Sequence, residues 1–196
     1  MKEKQSGWFG ALKGYLGKSI VESRIRDATL RWEGTLLELN GCLERVRNQV
    51  SGEVATQFEE SQRTWEIYRD AAVELDLHLV DEGISEPSAT RLVSLCGLAE
   101  SRISDLEWKE PSGEVTQLHA AEEELAEVLG KIRPFLNDKN RPLFEMLQST
   151  WAQYRDAQAI FQAGMTGEES AHMSALLELT RNQVSALNGT LSILDP

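Results

Sequence analysis

The sequence predicts an all-α protein: two tandem three-helix bundle units preceded by an amphipathic N-terminal segment. Three observations lead there. The octet TWEIYRDA at 64–71 returns at 150–157 as TWAQYRDA, with six of eight positions identical. Apolar residues around both octets recur at the helical period, and nothing alternates for long at the period of two that a strand requires. The five prolines are clustered, which leaves long stretches free to be helical.

The repeat extends well beyond the octet. At a shift of 86, Phe58, Glu59, Gln62, Thr64, Trp65, Tyr68, Arg69, Asp70 and Ala71 meet identical residues. Upstream, Leu39, Leu43, Val46 and Val50 lie over Leu125, Leu129, Ile132 and Leu136, one amphipathic helix face written twice. Downstream the shift becomes 81, and Leu95, Leu98, Ile103 and Leu106 fall on Leu176, Leu179, Val184 and Leu187. The change of shift sits just before Gly83, where a loop tolerates length variation. The chain reads as a tandem duplication, 27–108 followed by 114–196, with a linker at 109–113 inside KEPSGE.

Taken in order, residues 1–26 form the separate basic segment, and helices are expected near 27–50, 53–81 and 86–107 in the first unit. The second unit repeats them near 114–133, 140–163 and 167–191. Gly83 and Gly164 suit the left-handed position after a helix. Ser85 and Thr166 then stand where N-caps belong, and Thr166-Gly167-Glu168-Glu169 fits a capping box. Pro142 suits a first helical turn, where its missing N–H would be unpaired anyway.

Charge is unevenly placed. The net charge is −12, yet residues 1–26 carry +4 from Lys2, Lys4, Lys13, Lys18, Arg24 and Arg26 against Glu3 and Glu22, which leaves −16 on the rest. Nucleic-acid binding needs a basic footprint, and the main body lacks one, so no nucleic-acid partner is expected. A basic protein partner suits it better, although acidity by itself also serves solubility. The two cysteines, Cys42 and Cys96, are too few for a disulfide scaffold but enough for one bridge. There is no apolar run long enough for a transmembrane helix and no uninterrupted signal-peptide core. A cytoplasmic location is expected, and a periplasmic one only if a leader has been removed.

Within residues 7–21 (GWFGALKGYLGKSIV), Trp8, Leu12, Tyr15, Leu16 and Ile20 share one helical face and Phe9 flanks it, with Lys13 and Lys18 off it. Three roles fit: an interfacial helix on an anionic membrane, a helix in a partner's groove, or packing against its own bundle. Four glycines lower its intrinsic helicity, so it is expected to order against something.

In the octet, Trp65, Tyr68 and Arg69 stand at i, i+3 and i+4 and share a face with Phe58 and Gln62, while Asp70 lies to one side. Packing is the preferred reading. Trp and Tyr anchor the core, and Arg lays its stem over the aromatics while turning its fork to a carboxylate or to helix-end carbonyls. An exposed aromatic–Arg hot spot is the functional rival. Catalysis is not expected, because Arg is a poor base and neither copy has a His or Cys nucleophile nearby. His78, His119 and His172 form no ligand pair, so no metal and no cofactor are expected. The Glu-rich run at 120–127 reads as the solvated face of a helix.

The pattern Gln62-x-x-Trp65-x-x-Tyr68-Arg69-Asp70 followed by LAESRISDL at 98–106 resembles the LprI-type lysozyme-inhibitor family. It recurs as Gln148-x-x-Trp151-x-x-Tyr154-Arg155-Asp156 followed by LELTRNQVSAL at 177–187. The resemblance covers nearly all of 28–190 as two divergent copies. It implies small helical domains, usually exported to the bacterial periplasm or beyond, some of which inhibit lysozyme. Three departures stand out: no signal sequence, the doubling itself, and Val73 and Ala159 where the family often places a bridged Cys. Loss of that bridge fits a reducing compartment. The expected function is therefore a non-enzymatic protein-binding module, an LprI-like inhibitor of a lysozyme-like cell-wall hydrolase. The alternative is a cytoplasmic adaptor or scaffold docked to a membrane or larger assembly through residues 7–21.

Overall fold

The computed structural model describes the backbone of residues 3–80, 87–107 and 117–194, and the side chains of 21–79, 87–107 and 117–192. Every regular element among them is helical: α1 (Glu3–Gln49), α2 (Gly52–Val80), α3 (Pro87–Leu106), α4 (Leu118–Ile132), α5 (Asn140–Thr166) and α6 (Glu169–Leu194). A short 3₁₀ turn, Arg133–Phe135, follows α4. The all-α expectation holds. Gly83, Ser85, Trp108 and the seam at 109–114 lie outside the described residues.

α1 packs on α3, which also packs on α2, and α4 packs on α6, which also packs on α5. The most extensive contact joins the two repeat-related helices, α2 and α5. They run antiparallel. Ser61 meets Gln158, Phe58 meets Phe161 and Tyr68 meets Tyr154, so residue numbers fall along one helix as they rise along the other.

The duplicated stripes supply the core. Leu39, Leu43 and Val46 of α1 bury with Phe58 and Trp65 of α2 and Ala99 and Ile103 of α3. Leu125, Val128 and Ile132 of α4 bury with Phe144 and Trp151 of α5 and Val184 and Leu187 of α6. Each cluster also takes residues from the other copy: Tyr154, Phe161 and Leu179 join the first, and Leu75 joins the second. Every buried apolar side chain loses water contact wherever its neighbour comes from, so antiparallel α2 and α5 fuse the two cores.

Three local expectations are corrected. The first helix begins at Glu3 rather than near 27. Its glycines weaken it without ending it, and no proline precedes Pro87. Gly164 does not end α5, which continues to Thr166. The left-handed C-cap is Gly167, with φ of 72° and its N–H bonded to the Ala163 carbonyl at 2.8 Å. Thr166 is therefore the last residue of α5 and not the head of a capping box, although its hydroxyl still accepts from the Glu168 N–H at 3.2 Å. Pro142 does sit in the first turn of α5.

Candidate functional site

The octet residues take the same arrangement in both copies. Trp65 and Trp151 are buried, and the guanidinium carbons of Arg69 and Arg155 sit over them, 5.2 and 5.4 Å from the ring centroids. Each Arg turns its fork to the carboxylate of the next residue, Arg69 to Asp70 at 2.7 Å and Arg155 to Asp156 at 2.8 Å. Arg155 also reaches Glu122 of α4 at 3.6 Å. Asp70 and Asp156 are exposed. A guanidinium sharing a ring face and a carboxylate orders the helix surface above the buried Trp.

Tyr68 and Tyr154 stack face to face across the α2–α5 contact, 5.8 Å between centroids and 3° between planes. Being repeat equivalents, they mark a local pseudo-two-fold axis. Burial, with the nearby Asp105 and Asp76 carboxylates, pushes the Tyr68 hydroxyl up to about 12.

Beside the stack lies a polar cluster that breaks this symmetry. Arg102 of α3 is fully buried. Its Nε donates to Gln62 Oε1 at 3.2 Å, Nη1 to Gln158 Oε1 at 2.7 Å and to the Tyr154 hydroxyl at 3.2 Å, and Nη2 to Ser61 Oγ at 3.1 Å. Ser61 itself donates to Gln158 Oε1 at 2.6 Å. The Tyr154 hydroxyl donates to Asp105 Oδ2, and the Gln158 and Gln162 side chains donate to the Asp105 carbonyl at 3.0 and 2.8 Å. A buried guanidinium is costly without partners, and this one is surrounded by acceptors. Burial raises the Asp105 carboxyl to about 6, against the lowering pull of the Tyr154 hydrogen bond and Arg102, while Glu178 raises it further. Burial likewise drives the Tyr154 hydroxyl well above its ordinary value.

In the second copy the cluster is reduced to one contact. Arg102 falls on Gln183 at the shift of 81, and Gln183 Nε2 donates to Gln148 Oε1 at 3.4 Å. Ser61 and Gln158 fall on Leu147 and Ala72. The motif Gln thus accepts from helix three of its own unit in both copies, from an Arg once and from a Gln once. The signal for Arg102 was present in the sequence, since Leu95, Ala99, Arg102 and Leu106 share one helical face, and an Arg on an apolar stripe needs buried acceptors. Only a water-sized gap of about 10 Å³ opens beside Asp105, between Gln158, Gln162 and Glu178. The polar groups of the cluster are spent on one another.

The remaining features are on the surface. An open groove between α2 and α5 is lined by Glu53, Glu60, Arg63, Asp156, the buried Thr64 and the exposed Ile160. On α1, Leu30 and Leu37 are 62% and 75% exposed. Trp8, Phe9, Leu12, Tyr15, Leu16 and Ile20 belong to the same helix, and their side chains lie outside the described residues. Cys42 and Cys96 are buried and unbridged. Glu122, Glu123, Glu124 and Glu127 face solvent. Among the described residues there is no group of His, Cys, Asp and Glu able to hold a metal ion, and no helix long and apolar enough to cross a membrane. Compared with known proteins, the chain matches no protein family, no curated protein and no solved structure.

Proposed function

We propose that the protein is a non-enzymatic binding module, an adaptor or scaffold that docks through the outward face of α1 while the duplicated bundle serves as its body. The observation that carries this reading is the exposure of Leu30 and Leu37 on the side of α1 opposite the buried Thr35, Leu39, Cys42 and Val46. Two exposed leucines seven residues apart on one stripe of a long helix offer an apolar surface to a partner. The octet residues support it from the other side, because they are spent on packing. A cytoplasmic setting goes with this reading, since both thiols stand unbridged. Deleting residues 1–22 together with Leu30→Glu and Leu37→Glu tests it. Helix content should persist while association is lost, read as mass in solution and as co-sedimentation with anionic vesicles. Unchanged association in that variant would contradict it.

A second reading keeps the LprI-like inhibitor. Glu53, Glu60 and Asp156 against Arg63 leave the lining of the α2–α5 groove net acidic, which favours it as a surface for a basic hydrolase. Near-stoichiometric suppression of a lysozyme-like enzyme is the expected result, and no effect at excess would end it.

A further inference from the structure

We infer that the Asp105 side chain is a proton-controlled latch between the two units: protonated, it keeps the last turn of α3 closed against α5 and α6, and ionised, it lets that turn part from them and admit water. The latch is separate from docking through α1.

Most of α3 packs on α1 and α2 of its own unit. Its last turn is tied to the second unit instead. On α5, Tyr154, Gln158 and Gln162 stand at i, i+4 and i+8, so one stripe of that helix faces the end of α3. The Tyr154 hydroxyl donates to the Asp105 carboxyl, and the two Gln amides donate to the Asp105 carbonyl at 3.0 and 2.8 Å. Across the gap of about 10 Å³ stand Ala175 and Glu178 of α6. The duplication gives no reason for a carboxyl group here: at the shift of 81 Asp105 falls on Ala186, which is exposed.

An ionised carboxylate can accept about four hydrogen bonds. Among the described residues, the Tyr154 hydroxyl is the one donor to this carboxyl, because the neighbouring Gln amides are used on the backbone. The charged and titratable groups that face it are Arg102 of α3, Tyr68 of α2, Tyr154 of α5 and Glu178 of α6. Arg102 favours the ionised form, but its guanidinium donates to Gln62, Ser61, Gln158 and the Tyr154 hydroxyl, which stands between it and Asp105. Glu178 opposes ionisation, and burial opposes it most. Burial also keeps both Tyr hydroxyls neutral. A gap that holds at most one water leaves an ionised Asp105 short of donors unless α3 and α6 move apart. The α2–α5 contact keeps the units joined while the end of α3 opens.

Opening gives Asp105 the hydration it has in an unfolded chain. Between 3.8 and about 6 the closed form holds a proton that the open form has lost, so opening becomes more frequent as pH rises through that window and levels off above it. The full span corresponds to on the order of a hundredfold in the opening equilibrium.

Ala175→Cys in the full chain tests this by placing a thiol at the gap, while the buried Cys42 and Cys96 report global unfolding in the same sample. The probe is a dipyridyl disulfide, which reacts in acid as well as at neutral pH, and peptide mass spectrometry separates the three sites. Relative to a model thiol at each pH, modification at 175 should rise by tens of fold from about pH 4 to about pH 7. It should outpace Cys42 and Cys96 and be insensitive to low urea, as a local opening is. Asp105→Asn should keep the fold and remove the rise, and Glu178→Gln should shrink it. Exchange of the Glu107 amide, bonded to the Ile103 carbonyl at 2.9 Å, reads the same opening without a substitution at the gap. A rate at 175 that is flat with pH, that merely follows Cys42 and Cys96, or that keeps its rise in Asp105→Asn would overturn the latch.

Discussion

Tyr68 and Tyr154, the same residue of the two repeats, lie ring on ring with 3° between their planes. The duplication therefore meets itself at its own motif. Since α2 and α5 are antiparallel, each octet is placed beside the other, and Trp65 and Trp151 become the buried anchors on either side of the stack. Stability and association should accordingly respond to different substitutions.

Trp65→Ala and Trp151→Ala should each lower unfolding free energy by about 3–5 kcal/mol, the range for deleting a buried aromatic. Urea titration measures it. Trp variants that melt near wild type yet fail to associate would make the octet a binding face after all.

Arg102→Ala should cost about 3–5 kcal/mol, because it strands the acceptors of Gln62 and Ser61 in a buried site and leaves Gln158 Oε1 with the Ser61 hydroxyl alone. Arg102→Gln should cost less, since Gln183 already makes the equivalent contact to Gln148. Equal losses for both variants would show that the hydrogen bond to the motif Gln does not matter.

Asp105 gives the fold a pH dependence of defined sign. Its carboxyl is raised from the ordinary 3.8 to about 6 by burial. The folded state therefore holds the proton where the unfolded chain has lost it, and this contribution is fully present below 3.8 and lost as pH rises to about 6. The span corresponds to at most about 3 kcal/mol. The stability difference between wild type and Asp105→Asn should thus shift in favour of wild type from pH 7 to pH 4. A shift the other way would contradict the placement of Asp105.

Two glycines should respond with opposite signs. Gly167→Ala should cost about 1–2 kcal/mol, because its φ of 72° is left-handed. Gly34→Ala should stabilise the folded protein by up to about 1 kcal/mol, because the position is helical and open. Melting temperatures decide both.

Helical periodicity made the class and the core legible: Leu39, Leu43 and Val46 bury as their spacing requires. Periodicity shows which face is apolar without saying what covers it. That is why the sharing of Tyr154 and Phe161 with the first cluster was not legible, nor was the asymmetric Arg102 cluster. Stop signals only three residues apart compete, and at the end of α5 Gly167 prevails over Gly164, which stays inside the helix against Gln57. The start of α1 was misplaced because charge composition changes near residue 26 while the backbone continues without a break.

The most direct measurement pairs melting with mass in solution on Leu30→Glu/Leu37→Glu in the full chain. Both leucines are exposed, so the variant should melt close to wild type. Its association should be lost. A folded variant that associates as strongly as wild type would contradict docking through α1.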